Sequence, residues 1–96
     1  MVNQELLAKI RKSLRISHTK LDDEIAELIE AAKLDLKISG VIKIDEADPL
    51  IIRAISLYAK SASGYFEQMA ERYDQSYKML KISLALAGDY NQEPIN

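Results

Sequence analysis

The stretch SHTKLDDEIAELIEAAKLDLKISG, from Ser17 to Gly40, decides how this 96-residue chain folds. It opens on the one histidine, runs through consecutive acids and closes on a glycine. Either His18 with Asp22, Asp23 and Glu24 forms a site, or the stretch is a corner leading into a helix. Its apolar spacing favours the helix: Leu21, Ile25, Leu28, Ile29, Ala32 and Leu36 fall on one face. Thr19 is the expected N-cap, and Asp22, Asp23 and Glu24 fill the first turns, where carboxylates complement the helix dipole. Ser39-Gly40 supplies the stop, with Gly40 placed to adopt the left-handed conformation. Leu34 and Ile38 lie well round the helix from the stripe and form a second apolar patch.

A catalytic or metal site needs converging side chains, whereas neighbouring helical residues point about 100° apart. The chain offers no second histidine, no cysteine and no HExxH spacing. His18 and the acids are therefore a solvated corner. No enzyme activity, metal or cofactor is expected.

Outward from this helix, the periodicity predicts a first helix from about Asn3 to Leu14. Leu6, Leu7, Ile10 and Leu14 share one face, and Lys9, Arg11, Lys12 and Arg15 take the other. On the C-terminal side, the VIKI alternation from Val41 is too short to imply a sheet. ADPL reads as an N-cap Asp48 with Pro49 at the first helical position. The third helix runs to about Ser63, with Leu50, Ile51, Ala54, Ile55, Leu57, Tyr58 and Ala62 in a wide apolar arc. Arg53, Ser56, Lys60 and Ser63 are confined to the remainder. This is the expected centre of the fold.

Gly64 marks either a break or merely a weak point in a longer helix. The last helix then starts at about Phe66 or at Ala70, and ends by Gly88. Phe66, Met69, Tyr73, Tyr77, Leu80 and Leu84 form one stripe; Met79, Ile82 and Leu86 form a second on nearly the opposite side. The tyrosines at 58, 65, 73 and 77 have the spacing of core or interface residues, and Glu67, Glu71 and Asp74 argue against a base-stacking groove. GDYNQEPIN has no periodicity. The expected organisation is one all-α domain of about four helices over residues 1–88, ending in a long C-terminal helix, with a mobile tail over 89–96.

Composition narrows the function classes. No apolar run approaches the roughly 18 residues of a membrane helix, and the N-terminus lacks the order of a signal peptide, so a soluble, intracellular chain is expected. Net charge is −2, but residues 1–20 carry five bases and one acid while residues 21–50 carry nine acids and three bases. A mildly acidic chain is a poor free-standing nucleic-acid binder, yet a basic end and an acidic middle permit contact between copies. A second apolar stripe on the last helix has no core to face. Together with Leu34 and Ile38 it indicates a surface that meets another protein.

The order of these signals resembles a known family. A short amphipathic helix leads to LRI, then to DDEIAELIEAA and a glycine, followed by DPLIIRAISLYA and a final helix of the form RYDQSYKMLKISLAL. Across Leu6 to Leu86 this is similar to the head–tail connector, or adaptor, proteins of long-tailed double-stranded DNA phages and prophages. The usual member has a short irregular region before its last helix, where this chain has the compact SGYFEQMAE.

The resemblance implies a structural protein of the virion, made in the host bacterial cytoplasm and placed at the head–tail junction. It implies assembly as a ring beneath the portal after DNA packaging, by a chain that can be monomeric when free. Portal and next neck or tail protein would be its partners, with DNA only as channel contents and no membrane. The expected contact residues are Lys9, Arg11, Lys12 and Arg15 against Asp23, Glu27 and Glu30, with Leu34, Ile38, Met79, Ile82 and Leu86 supplying apolar contact; the bases could instead line the channel. The alternative is a small helical DNA-binding or regulatory module.

Overall fold

In the computed structural model, which describes residues 3–92, Asn3 starts the first helix. Its side-chain oxygen accepts from the Glu5 amide at 2.8 Å and caps α1, Gln4–Ser13. Leu6, Leu7, Ile10 and Leu14 are all buried, as their spacing predicts.

The helix ends in a Schellman turn: Ile16 N–H donates to the Arg11 carbonyl at 3.1 Å and Arg15 N–H to the Lys12 carbonyl at 3.0 Å. Arg15 occupies the left-handed position, with φ +61°, where glycine is the usual choice.

The second helix, α2, spans Asp22–Ile38. Thr19 does not cap it. Leu21 holds the cap position without a side-chain hydrogen bond, while the Thr19 carbonyl accepts from the Asp22 amide at 3.2 Å in a preceding turn. The C-terminal end repeats the motif of α1: Val41 N–H reaches the Leu36 carbonyl at 2.9 Å and Gly40 takes φ +105°. Val41 and Leu36 are both fully buried, adding the apolar contact that accompanies such a turn. Residues 41–48 cross to the next helix without forming a strand, turning at Asp45, whose carboxylate accepts from the Ala47 amide at 2.9 Å.

α3, Pro49–Ala62, begins as expected, with Asp48 accepting from the Leu50 amide at 2.8 Å and Pro49 in the first turn. It packs against α1, α2 and the following helix, which makes it the centre of the core. Ile51, Ala54, Ile55, Leu57 and Ala59 are buried; Leu50 and Ala62, expected in the apolar arc, are exposed because they sit on the outermost turns. Each fully buried isoleucine of this core contributes roughly 1.5–3 kcal/mol relative to its exposed state.

Gly64, at φ +83°, turns the chain out of α3, and residues 63–69 form successive turns. The fourth helix, α4, therefore begins at Ala70 and runs to Leu86. The chain does not end in one long helix. At 17 residues α4 equals α2, Ala87 then takes an extended conformation, and one further helical turn, α5 at Gly88–Asn91, follows.

Part of the expected tail is thereby docked: Tyr90 is half-buried, its carbonyl accepts from the Ile42 amide at 2.7 Å, and its hydroxyl donates to Asp48 at 2.8 Å. Residues 93–96 of that tail lie outside the described residues. The result is an all-α slab measuring 41 × 28 × 19 Å. Its thinnest dimension matches two layers of helices at about 10 Å each.

Candidate interaction surfaces

The corner between α1 and α2 is closed from within. Arg11 donates Nε to one Asp22 oxygen at 2.8 Å and Nη2 to the other at 2.7 Å. That hydrogen bond raises the guanidinium pKa and holds the Asp22 carboxyl below its usual range. Of the four bases expected on the α1 face, Arg11 is thus engaged inside the chain, while Lys9, Lys12 and Arg15 remain exposed. His18 is exposed, its Nδ1 accepting from the Lys20 amide at 3.2 Å. Among the described residues no group of histidines and carboxylates is placed to hold a metal ion.

Asp23, Glu27, Glu30, Leu34 and Ile38 are all exposed and step by four, three, four and four along α2. They form one ridge, acidic in its N-terminal half and apolar in its C-terminal half. Glu30 lies 3.7 Å from Lys33, which is also 3.7 Å from Glu46.

The apolar positions singled out by spacing are all on the outside: Leu34 is 60% exposed, Ile38 85%, Met79 72%, Ile82 58% and Leu86 78%. The C-terminal turns of α2 and α4 are held together beneath them. Asp35 accepts from the Tyr77 hydroxyl and from Lys81 Nζ at 3.0 Å, and the Gly40 α-carbon faces the Ala85 side chain.

Burial works to raise the Asp35 carboxyl, but the hydrogen bonds from Tyr77 and Lys81 outweigh it and leave the pKa lowered. Burial, then the Asp35 contact, pushes the Tyr77 phenol up. At the C-terminus, the Tyr90 hydrogen bond is the main cause holding Asp48 below its usual range.

The tyrosines divide. Tyr77 is buried edge-on to Tyr58 at 5.3 Å, Tyr73 meets Phe66 edge-on at 5.8 Å, and Tyr65 is exposed. Two surface features had no clear signal in the sequence. Ile42 is exposed and lines a shallow groove with Leu34; the VIKI alternation alone does not say which of its residues faces out. Arg53 and Lys60, assigned only to a polar strip, line a groove with Lys9 of α1. Their two-turn spacing was visible, but the α1–α3 packing that forms the groove was not.

Four helices and a fifth short turn build one core, and exposed apolar side chains stand on the outer faces of α2 and α4. A family model described as phage connector protein matches residues 6–91, and the chain belongs to that family. Its role is that of a phage head–tail connector, a structural component of the virion that contacts other head and tail proteins. No curated protein and no solved structure matches the chain. No helix among the described residues is long and apolar enough to cross a membrane.

Proposed function

We propose that this connector assembles as a ring beneath the portal after DNA packaging, extends the DNA channel and offers a docking surface to the next neck or tail protein. The observation that carries the reading is the set of exposed apolar side chains Leu34, Ile38, Ile82 and Leu86 on the terminal turns of α2 and α4, which the chain's own core leaves uncovered. A ring requires one patch to meet a different patch on the next copy. The basic α1 face (Lys9, Lys12, Arg15) and the acidic ridge of α2 (Asp23, Glu27, Glu30) are distinct patches of opposite sign, suited to setting register and encounter.

The test is to incubate the purified chain with DNA-filled heads that carry a portal but lack the connector. Rings at the portal vertex, seen by electron microscopy, are the expected outcome. A chain that stays free at all concentrations would remove the reading. Reversing Lys12 and Arg15 to glutamate separates the charge contribution: rings formed undiminished would leave the apolar contact and discard the α1 pairing.

A further inference from the structure

Between α1 and α3 runs an open groove of about 530 Å³ lined by Lys9, Arg53 and Lys60 together with Pro49 and Ile52, which lie over the fully buried Ile10. Ser13 and Ser56 hydrogen-bond to one another across the two helices and fix their separation. None of the three bases pairs with a carboxylate among the described residues. Lys60 is held over the Tyr73 ring, 5.2 Å from its centre, which directs its position without neutralising it. The groove therefore combines unpaired positive charge with accessible apolar surface.

We infer that this groove is the seat for the outer ridge of α2 of a second copy of the chain, so that the contact between neighbours is made by α3 as well as α1. The inference rests on the ring reading above and deepens it by naming the receiving surface. Arg53 and Lys60 stand seven residues apart on α3, and Asp23 and Glu30 stand seven apart on α2. Both pairs span two helical turns, about 10 Å, so the two charges of one helix match the two of the other in a single register. Glu27 falls between its acidic neighbours on the same ridge, and Lys9 flanks the basic pair from α1. Phosphate would use the bases but gain nothing from the accessible apolar surface of Pro49 and Ile52, whereas a helix ridge carrying both acids and apolar groups uses both. The contact is head-to-tail, groove to ridge, and both surfaces remain available at the ends of any open arc of subunits.

The test uses the full chain, isotope-labelled, diluted from about millimolar to about ten micromolar at low salt, where exposed charges are least screened. Amide signals of Lys9, Arg53 and Lys60 should move with concentration together with those of Asp23, Glu27 and Glu30. Arg53→Glu/Lys60→Glu should weaken this association about tenfold or more, as should Asp23→Lys/Glu30→Lys. Mixing the two variants should restore it, because each copy then meets a complementary surface on the other.

Association undiminished in Arg53→Glu/Lys60→Glu would overturn the groove while leaving a ring built elsewhere. Signals that never move with concentration would overturn the groove as well. A duplex-DNA gel shift abolished by Arg53→Glu/Lys60→Glu would replace the second copy by nucleic acid as occupant. Groove behaviour as expected, together with no ring on portal-bearing heads, would remove the connector-ring reading and leave the contact.

Discussion

Arg11 and Asp22, eleven residues apart, join α1 to α2 through two parallel hydrogen bonds at 2.8 and 2.7 Å. The pair spans the corner that the histidine and the acids mark in the sequence, and it converts a charged turn into a fixed angle between helices. Asp22→Asn should lower the thermal midpoint at neutral pH modestly, and the deficit should shrink in high salt, because the pair is open to solvent. A midpoint unchanged at low salt would show that the corner is set by packing alone.

Acid should find the same group and two others. Asp22, Asp35 and Asp48 are each held below the ordinary carboxylate range in the folded chain, so the folded state takes up protons less readily than the unfolded one. Their contribution is complete above the unfolded pKa of about 3.9 and is lost as pH falls through the folded values. The thermal midpoint should be flat from neutrality to about pH 5 and drop below about pH 4. Asp22→Asn should start lower and fall less steeply. Parallel curves for the two proteins would exclude Asp22 from the acid transition.

The helical ends offer a paired test of backbone conformation. Arg15 at φ +61° and Gly40 at φ +105° occupy equivalent positions of two Schellman turns. Arg15→Gly should stabilise the chain by about 0.5–1 kcal/mol, the relief of left-handed strain exceeding the entropy glycine adds to the unfolded state. Gly40→Ala should destabilise it by about 1–2 kcal/mol. An added Cβ would sit 3.8 Å from that of Ala85, an ordinary contact, so the cost lies in the backbone. Urea midpoints at constant slope measure both.

These two turns also show what the residues announce and what they hide. Glycine after a periodic stretch declares a stop, and Gly40 does what its type predicts. Arginine declares nothing about backbone conformation, so the turn at Arg15 emerges only once Ile16 is seen reaching back to Arg11. The stripes of α1, α2 and α3 were legible because burial imposes the helical period on residue type. The Asp48-Pro49 start was legible because a cap is a local device. Pairings between distant residues leave no such trace: neither Arg11–Asp22 nor the α1–α3 groove has a periodicity. Tyr90, alone in a polar tail, reads as loop until its hydroxyl is found on Asp48.

That last contact predicts a local readout. Ile42 and Lys43 amides both donate to the Tyr90 carbonyl, at 2.7 and 3.1 Å, whereas the Val41 amide donates to Leu36 within the α2 turn. Tyr90→Ala should remove the half-buried ring and the hydroxyl bond, release α5 and raise hydrogen exchange at Ile42 and Lys43 by about tenfold or more. Val41 should be unaffected. Equal acceleration at all three amides would mean that the substitution loosens the whole core rather than undocking the turn.

The apolar ridge of α4 separates stability from assembly most sharply. Ile82 and Leu86 are on the same helix as Tyr77 and Leu84, yet the first two are exposed while the second two are 2% accessible. Substituting Ile82 and Leu86 with serine should leave helicity intact and change stability by no more than about 0.5 kcal/mol each, as for other surface positions. Leu84→Ala, between them in sequence but on the opposite, core-facing side of the helix, should cost about 2–5 kcal/mol. If the exposed ridge is the docking surface, the serine variant should keep its circular dichroism spectrum and urea midpoint but fail to mount on portal-bearing heads. Retained mounting would move the docking surface off α4. A collapse in helicity would mean instead that the ridge supports the fold, against its exposure in the isolated chain.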